Sequence, residues 1–485
     1  MSKFMGLLLI LLSLLTASCG TEKKIVEGPQ PIPPRLPPGE IPTIPPPVPD
    51  PGGTMRFNVF ETQLLSDLIA LPEAERENSR FLVLCDRSNE GDTLMEEHIA
   101  ASHKVINQLS TEVRLRRTTG VGTRDCIRRI DRTDFDISVR DWVITEDADP
   151  FQFESNTERG LLIKQLTQAR RPWIHVSNFA VTTHTKTLPG TNRAIYYEII
   201  GLANNIAGIY QQLGVDRQQV YDDIEDGLIY MGMCDSPIAL GKCRSIERME
   251  SRFGSIWLTF DISLNSNANL LRDPFPPEAR SNRIFDAEAH ECIFDLPNEL
   301  NGYCLANAIN GNLESFAPTN IVENTRTQGL SSEINLLTCN QCHIDRVEEN
   351  NDELGNHIQG NQNFNIDDRR IAEAITKNEA AREGLFNEDT DRYCDALREI
   401  DNDCDDIDTI NQLTDDFRRP WDLGQVAAWY WLSEEEMATC IRSSPVANQN
   451  IGFIINGGAV QQNVIENISD DIVRDCDLFE DKLGE

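Results

Sequence analysis

The sequence predicts an α+β fold, a mixed body of helices and strands followed by a mainly α-helical carboxy-terminal region. Three observations lead there. Before residue 325, some windows carry apolar residues at helical spacing and others alternate or run apolar like strands, with no repeat of fixed period. Residues Glu291 to Leu305 read as a hairpin, because Cys292, Phe294 and Leu296 alternate, Pro297-Asn298-Glu299 breaks the run, and Gly302-Tyr303-Cys304-Leu305 returns. Beyond residue 325 the readable windows are helical, and Ser433 with Glu436 forms a capping box.

Four segments follow from composition: 1–18, 19–53, 54–325 and 326–485. Lys3, the apolar run Phe4 to Leu15, and Thr16-Ala17-Ser18 before Cys19 have the layout of an export signal. The run is too short to span a bilayer as a stable helix. Cys19 stands where bacterial lipoproteins carry their acylated residue, so the stretch resembles a lipobox. That implies cleavage before Cys19, a diacylglycerol anchor on its sulfur, and a lipid-tethered, extracytoplasmic body facing the periplasm or the surface. Gly20, in place of Asp, favours the outer membrane. An ordinary signal peptide with Cys19 free or in a disulfide is the plainer alternative. Residues 19–53 read as a spacer, since 12 of the 24 prolines fall between Pro29 and Pro51. At about 3.1 Å per residue in polyproline II, it could hold the body up to roughly 100 Å from the membrane.

In order, residues 59 to 71 read as a helix, Phe81 to Leu84 as a strand, and Thr93 to Leu109 as a helix. Cys126 to Ile130 and Phe135 to Val139 read as strands, with Trp142 after them. Thr157 to Arg170 is an expected helix and Trp173 to Ala180 an expected buried strand. Ala194 to Leu213 reads as one long amphipathic helix, and Asp216 as the cap of another reaching about Tyr230. Ser255 to Ile262 is an expected strand. In the last segment, Ile366 to Ala381 and a helix from the capping box through Ile441 are expected.

The net charge of −35 argues against nucleic-acid binding and for basic protein partners, although solvated surface is the blander account of it. There are 13 cysteines. Residues 339 to 343 read Cys-Asn-Gln-Cys-His, the attachment signature of a c-type haem. Cys339 and Cys342 would take the vinyl groups of one covalent haem c, and His343 would be its proximal ligand. A redox C-x-x-C is the thiol alternative. A zinc site would need a second Cys/His pair at knuckle spacing, and the sequence has none. Setting aside Cys19, Cys339 and Cys342 leaves an even ten. Spacing suggests the local pairs Cys234 with Cys243, Cys292 with Cys304 and Cys394 with Cys404, which leaves Cys85 with Cys126 and Cys440 with Cys476, a connectivity that sequence alone does not prove. Such disulfides would fit the oxidising space in which cytochromes c mature.

Several stretches resemble a family of large exported bacterial proteins with one c-type haem and no established function. The hairpin matches at Glu291, Ile293, Phe294, Leu296, Pro297, Asn298, Leu300, Gly302 and Tyr303, followed by Ala317, Pro318, Ile321 and Val322 and then the haem motif. Upstream, Arg129-Ile130-Asp131 with Asp134 and Trp142, and Ile246-Glu247-Arg248 with Gly254, Trp257 and Asp261, are similar to two further family segments. The likeness spans about residues 80 to 440 and implies a cytochrome without naming a substrate. Leu337-Thr338 and the extra cysteines depart from the family pattern.

The sixth iron ligand is open at this point. His357 is the candidate, in a stretch Asp352-Glu353-x-x-x-His357 that resembles one in the same family. A straight helix from 344 to 357 would carry it about 20 Å from His343, whereas two axial nitrogens lie only about 4 Å apart. The chain must therefore fold back, and Asn350-Asn351-Asp352 is the expected turn. Met437, an upstream histidine or an open position are the alternatives, and a surface loop histidine is the plain one. Trp421, Trp429 and Trp431 read as core or as haem shielding. Asp401, Asp403 and Asp405 have calcium-loop spacing, but Asp406 and Gln412 stand where an EF-hand needs Gly and Glu, so a solvated acidic loop is expected. His175, His184 and His290-Glu291 lack motif partners and read as structural. The expected function is electron transfer by a membrane-anchored monohaem cytochrome. The alternatives are a peroxidase-like or small-ligand-binding haem enzyme, or a binding module whose haem senses redox state.

Overall fold

The computed structural model describes Pro34 and residues 55–479, apart from 88–91, 152–153, 235, 237, 242, 324–333, 345, 348–350, 378 and 405–408. The export signal, Cys19, the proline-rich spacer other than Pro34, and Asp405 and Asp406 lie outside the described residues. The fold is α+β, built on two sheets.

The first sheet has strand order β2-β3-β1-β4. At its centre β1 (Ser79–Val83) is buried along its whole length, which explains why its apolar run does not alternate. It runs antiparallel to β3 (Ile127–Asp131) and parallel to β4 (Trp173–His175), with β2 (Thr119–Val121) at the edge. The second sheet is a six-stranded antiparallel meander: β5 (Ile229–Met233), β6 (Arg244–Ser251), β7 (Gly254–Phe260), β8 (Ala289–Asp295), β9 (Asn301–Asn307) and β10 (Leu313–Glu314). The expected hairpin is β8–β9, with Cys292 directly opposite Cys304.

The three cysteine pairs suggested by spacing and the two left by remainder are all disulfides here. They fit an extracytoplasmic protein. Among the described residues no helix is long and apolar enough to cross a membrane.

Several expected elements differ from those observed. The stretch 135–139 is not a strand: Ser138 caps helix α1 (Val139–Ala148) in a capping box with Asp141, which places Trp142 on a helix. The strand at Trp173 stops at His175, and helix α2 (Val176–Thr185) follows. The long helix 194–213 is two, α3 (Ile195–Ile199) and α4 (Ile206–Leu213), separated where Gly201 takes φ +62° and Asn205 caps the second. Asp216 caps α5 as expected, but α5 (Arg217–Asp223) ends early and the chain enters β5. Likewise 366–381 divides into α7 (Ile366–Ile375) and α8 (Glu379–Glu399), following α6 (Glu353–Gly360).

Strand register puts Met233, Arg244, Ile246, Trp257, Thr259, Glu291 and Ile293 on one face of the second sheet. On the other face the buried Glu247 carboxylate is gripped by Arg217 at 2.8 Å and by the Tyr221 hydroxyl at 2.6 Å. Residues after 325 cover the first face. Arg346 pairs with Asp295, both wholly buried, and Arg248 binds Asp389 at 2.9 Å. Packing is therefore continuous across the 325/326 boundary expected from sequence, within one hydrophobic core.

Candidate functional site

The motif lies on a short helix, Leu336–Cys342, capped by Asn335, whose side chain accepts from Leu337 N and Thr338 N. Leu336, Leu337, Thr338 and Asn340 are buried, so the helix is anchored by the positions between and before the cysteines. Asn340 Nδ2 donates to Gln108 Oε1 at 2.8 Å, and Asn411 Nδ2 donates to the Gln341 carbonyl at 3.0 Å. Both intervening residues of C-x-x-C thus hold the motif in place. Cys339 and Cys342, three apart, share a helix face. His343 terminates the helix, its N–H donating to the Cys339 carbonyl at 3.0 Å.

Cys339, Cys342, His343 and Val347 form one wall of a cavity of about 100 Å³. The sheet supplies facing residues: Met233, Ile246, Trp257, Ile293, Glu291 and Arg244. Dense apolar surroundings push the Cys339 thiol well above its usual pKa, even though part of its surface opens on the cavity. A thiol held protonated is slow to oxidise. Five disulfides form among the described residues, and neither Cys339 nor Cys342 is in one.

The cavity's polar edge is a buried ion cluster. Arg244 Nη2 reaches Asp261 Oδ2 at 2.8 Å and Glu291 Oε2 at 2.6 Å. Burial alone would lower the Arg244 pKa, but the two carboxylates outweigh it and raise it. Burial raises the Asp261 carboxyl, against the pull of Arg244. With both acids ionised, the cluster carries one net negative charge.

Haem c is the group this donor set implies. Two cysteines outside the disulfides, an adjoining imidazole and an apolar wall fit its chemistry. The volume is small beside the roughly 300–1,000 Å³ of cofactor sites, so seating a macrocycle there requires the walls to part.

Other expected site residues lie elsewhere. His357 is on α6, its Nε2 hydrogen-bonded to the Leu271 carbonyl at 2.9 Å and its ring edge-on to Phe364; it does not line the cavity. The structure therefore does not bring His357 to His343. Met437 is wholly buried on the helix Glu434–Ser443, also off the cavity. Trp421, Trp429 and Trp431 join a core cluster, in which His175 stacks on Trp429 at 3.9 Å. The aromatic wall of the cavity is Trp257 instead. His184 is buried against the Ala180 carbonyl, and His290 hydrogen-bonds the Thr259 carbonyl at 2.8 Å, off the cavity. Asp401 binds Arg117 at 2.8 Å, and no metal-binding group of three or more acidic, His or Cys side chains occurs among the described residues. Two larger clefts, of about 660 and 700 Å³, hold none of the motif residues.

Composition and spacing gave no warning of Met233, Arg244 or Trp257 as site residues. Of the residues on which the family resemblance rests, Ile246 and Trp257 from one segment and Glu291 and Ile293 from the hairpin line this cavity. No protein-family profile, curated protein or solved structure matches the chain.

Proposed function

We propose that the protein is a monohaem c-type cytochrome that transfers electrons outside the cytoplasm, tethered through Cys19 to a bacterial membrane, with the outer membrane favoured. The observation that carries this reading is the pair Cys339 and Cys342, left out of the disulfides and set with His343 against an apolar cavity. Cys339 and Cys342 would hold haem covalently, His343 would ligate its iron, and Ile246, Trp257, Ile293 and Val347 would exclude water from it. The bound haem would supply a one-electron couple. Arg244, Asp261 and Glu291 would set its electrostatic surroundings, their net negative charge favouring the oxidised iron. A surface of net charge −35 suits basic redox partners and no nucleic acid.

The test is an oxidised-minus-reduced spectrum of full-length protein produced with a cytochrome c maturation system. A reversible Soret and α-band change, with haem staining that survives denaturing electrophoresis, is expected. A colourless protein refutes the reading. Rapid CO binding by the reduced wild type would point to a ligand-binding haem enzyme in place of a carrier.

A further inference from the structure

We propose that Met233 would serve as the second protein ligand to the haem iron, and that Asp352 and Glu353 are positioning residues that hold its strand in place. This rests on the haem reading above. Among the described cavity-lining residues outside the motif, two side chains offer atoms suited to binding haem iron: the Met233 thioether and the Glu291 carboxylate. Glu291 is a charged carboxylate whose Oε2 is already engaged by Arg244 at 2.6 Å. Met233 carries no charge to neutralise, and a thioether with an imidazole is a ligand pair that raises the potential of a carrier haem.

The location of Met233 is unusual for a ligand. It is the last residue of β5, an edge strand, and strand ends fray unless something covers their open N–H groups. Here three features prevent that. Met233 is paired with Arg244 in the β5–β6 ladder. The next residue, Cys234, is in a disulfide with Cys243, which ties the strand end to the start of β6. The first turn of α6 then closes over the outer edge. Asp352 Oδ1 accepts from Gly232 N at 3.1 Å, and Glu353 Oε2 accepts from Cys234 N at 2.9 Å. The two carboxylates thus accept from the N–H groups of the residues on either side of Met233.

Gly232 makes this approach possible. A Cβ there would lie 2.6 Å from Leu354 Cβ, so any side chain would push α6 off the strand. Between motif and clamp, Arg346 is locked to Asp295 and donates to Ser255 Oγ at 2.7 Å. Among the described residues of the segment after His343, the one that lines the cavity is Val347, whose side chain offers no atom to iron. That segment's Asp-Glu pair holds a ligand contributed by the sheet, and His357 secures the far end of the same helix to Leu271.

The experiment uses full-length protein with covalent haem, comparing wild type, M233L, M233H, H357A and the double variant D352N/E353Q. The ferric wild type should show a sulfur-to-iron charge-transfer band, and the ferrous form should not bind CO. M233L should keep its haem and its fold but lose the band and bind CO. M233H should stay low-spin, lose the band and refuse CO. D352N/E353Q should keep haem while weakening the band and admitting CO in part, and H357A should leave both properties as in wild type. An M233L protein with an unchanged spectrum and no CO binding overturns the assignment, as does loss of CO exclusion in H357A alone. Wild type without a Soret band sinks the underlying haem reading, an outcome distinguishable from either.

Discussion

Replacing Asp389 with asparagine should uncouple the cavity's sheet wall from the helices that cover it. Asp389 on α8 is 1 % exposed and sits at the centre of a buried network. Its carboxylate accepts from Arg248 Nε and Nη2 at 2.9 Å, from Ser255 Oγ at 2.8 Å and from the Trp257 indole at 2.8 Å. Burial alone would raise its pKa. The Arg248 hydrogen bonds and the Arg346 and Arg248 charges hold it at about 2, against the usual 3.8. That difference contributes about 2 kcal/mol of folding stability at neutral pH. Because the folded pKa is the lower one, the contribution is complete above the unfolded pKa and is lost as pH falls through 3.8 towards 2. The substitution does more than remove this contribution, since it leaves the wholly buried Arg248 without its main counter-charge. Breaking such a pair costs about 3–5 kcal/mol. Urea unfolding of wild type and D389N should show that deficit at pH 7 with similar slopes, and the gap should narrow by about 2 kcal/mol near pH 2. A deficit below about 1 kcal/mol at pH 7, or one unchanged in acid, would refute the claim that this network holds the wall.

Three further outcomes are expected. C339S and C342S should each keep haem through one thioether and release none on denaturation, whereas the double variant should release it all; pyridine-haemochrome assay of the precipitate and supernatant checks this. E291Q should raise the midpoint potential, because it removes a negative charge from the cavity edge; a spectroelectrochemical titration that finds no rise or a fall contradicts the electrostatic account. H357A should cost about 1 kcal/mol, the worth of its hydrogen bond to Leu271, measured by chemical denaturation; a loss of haem or a changed Soret maximum would give His357 a larger role.

The parts of the fold that could be read from the sequence were those with short-range signals. The β8–β9 hairpin shows because a Pro-Asn-Glu break lies midway between two cysteines that end up opposite one another. The disulfides show because most of the pairs are near neighbours and because the count becomes even once three cysteines are set aside. The misread elements were those where local pattern fits two structures. Phe135 to Val139 alternates like a strand, yet Ser138 and Asp141 cap a helix. Trp173 to Ala180 is buried throughout, strand and helix alike, so no change in pattern marks the junction at His175. The motif wall of the site was legible, since its residues are contiguous. The sheet wall was not, because Met233, Trp257 and Glu291 meet only through strand register, which no spacing rule reports. His357 was attractive because histidine is a common ligand. A hydrogen bond to a carbonyl contributed 86 residues earlier could not be anticipated.

The most direct test is the intact mass of the matured chain after exhaustive thiol alkylation under reducing, denaturing conditions. The account predicts one tetrapyrrole's added mass, with Cys339 and Cys342 refractory to the reagent while the ten disulfide cysteines react. A chain without that mass, alkylated at both motif cysteines, contradicts it.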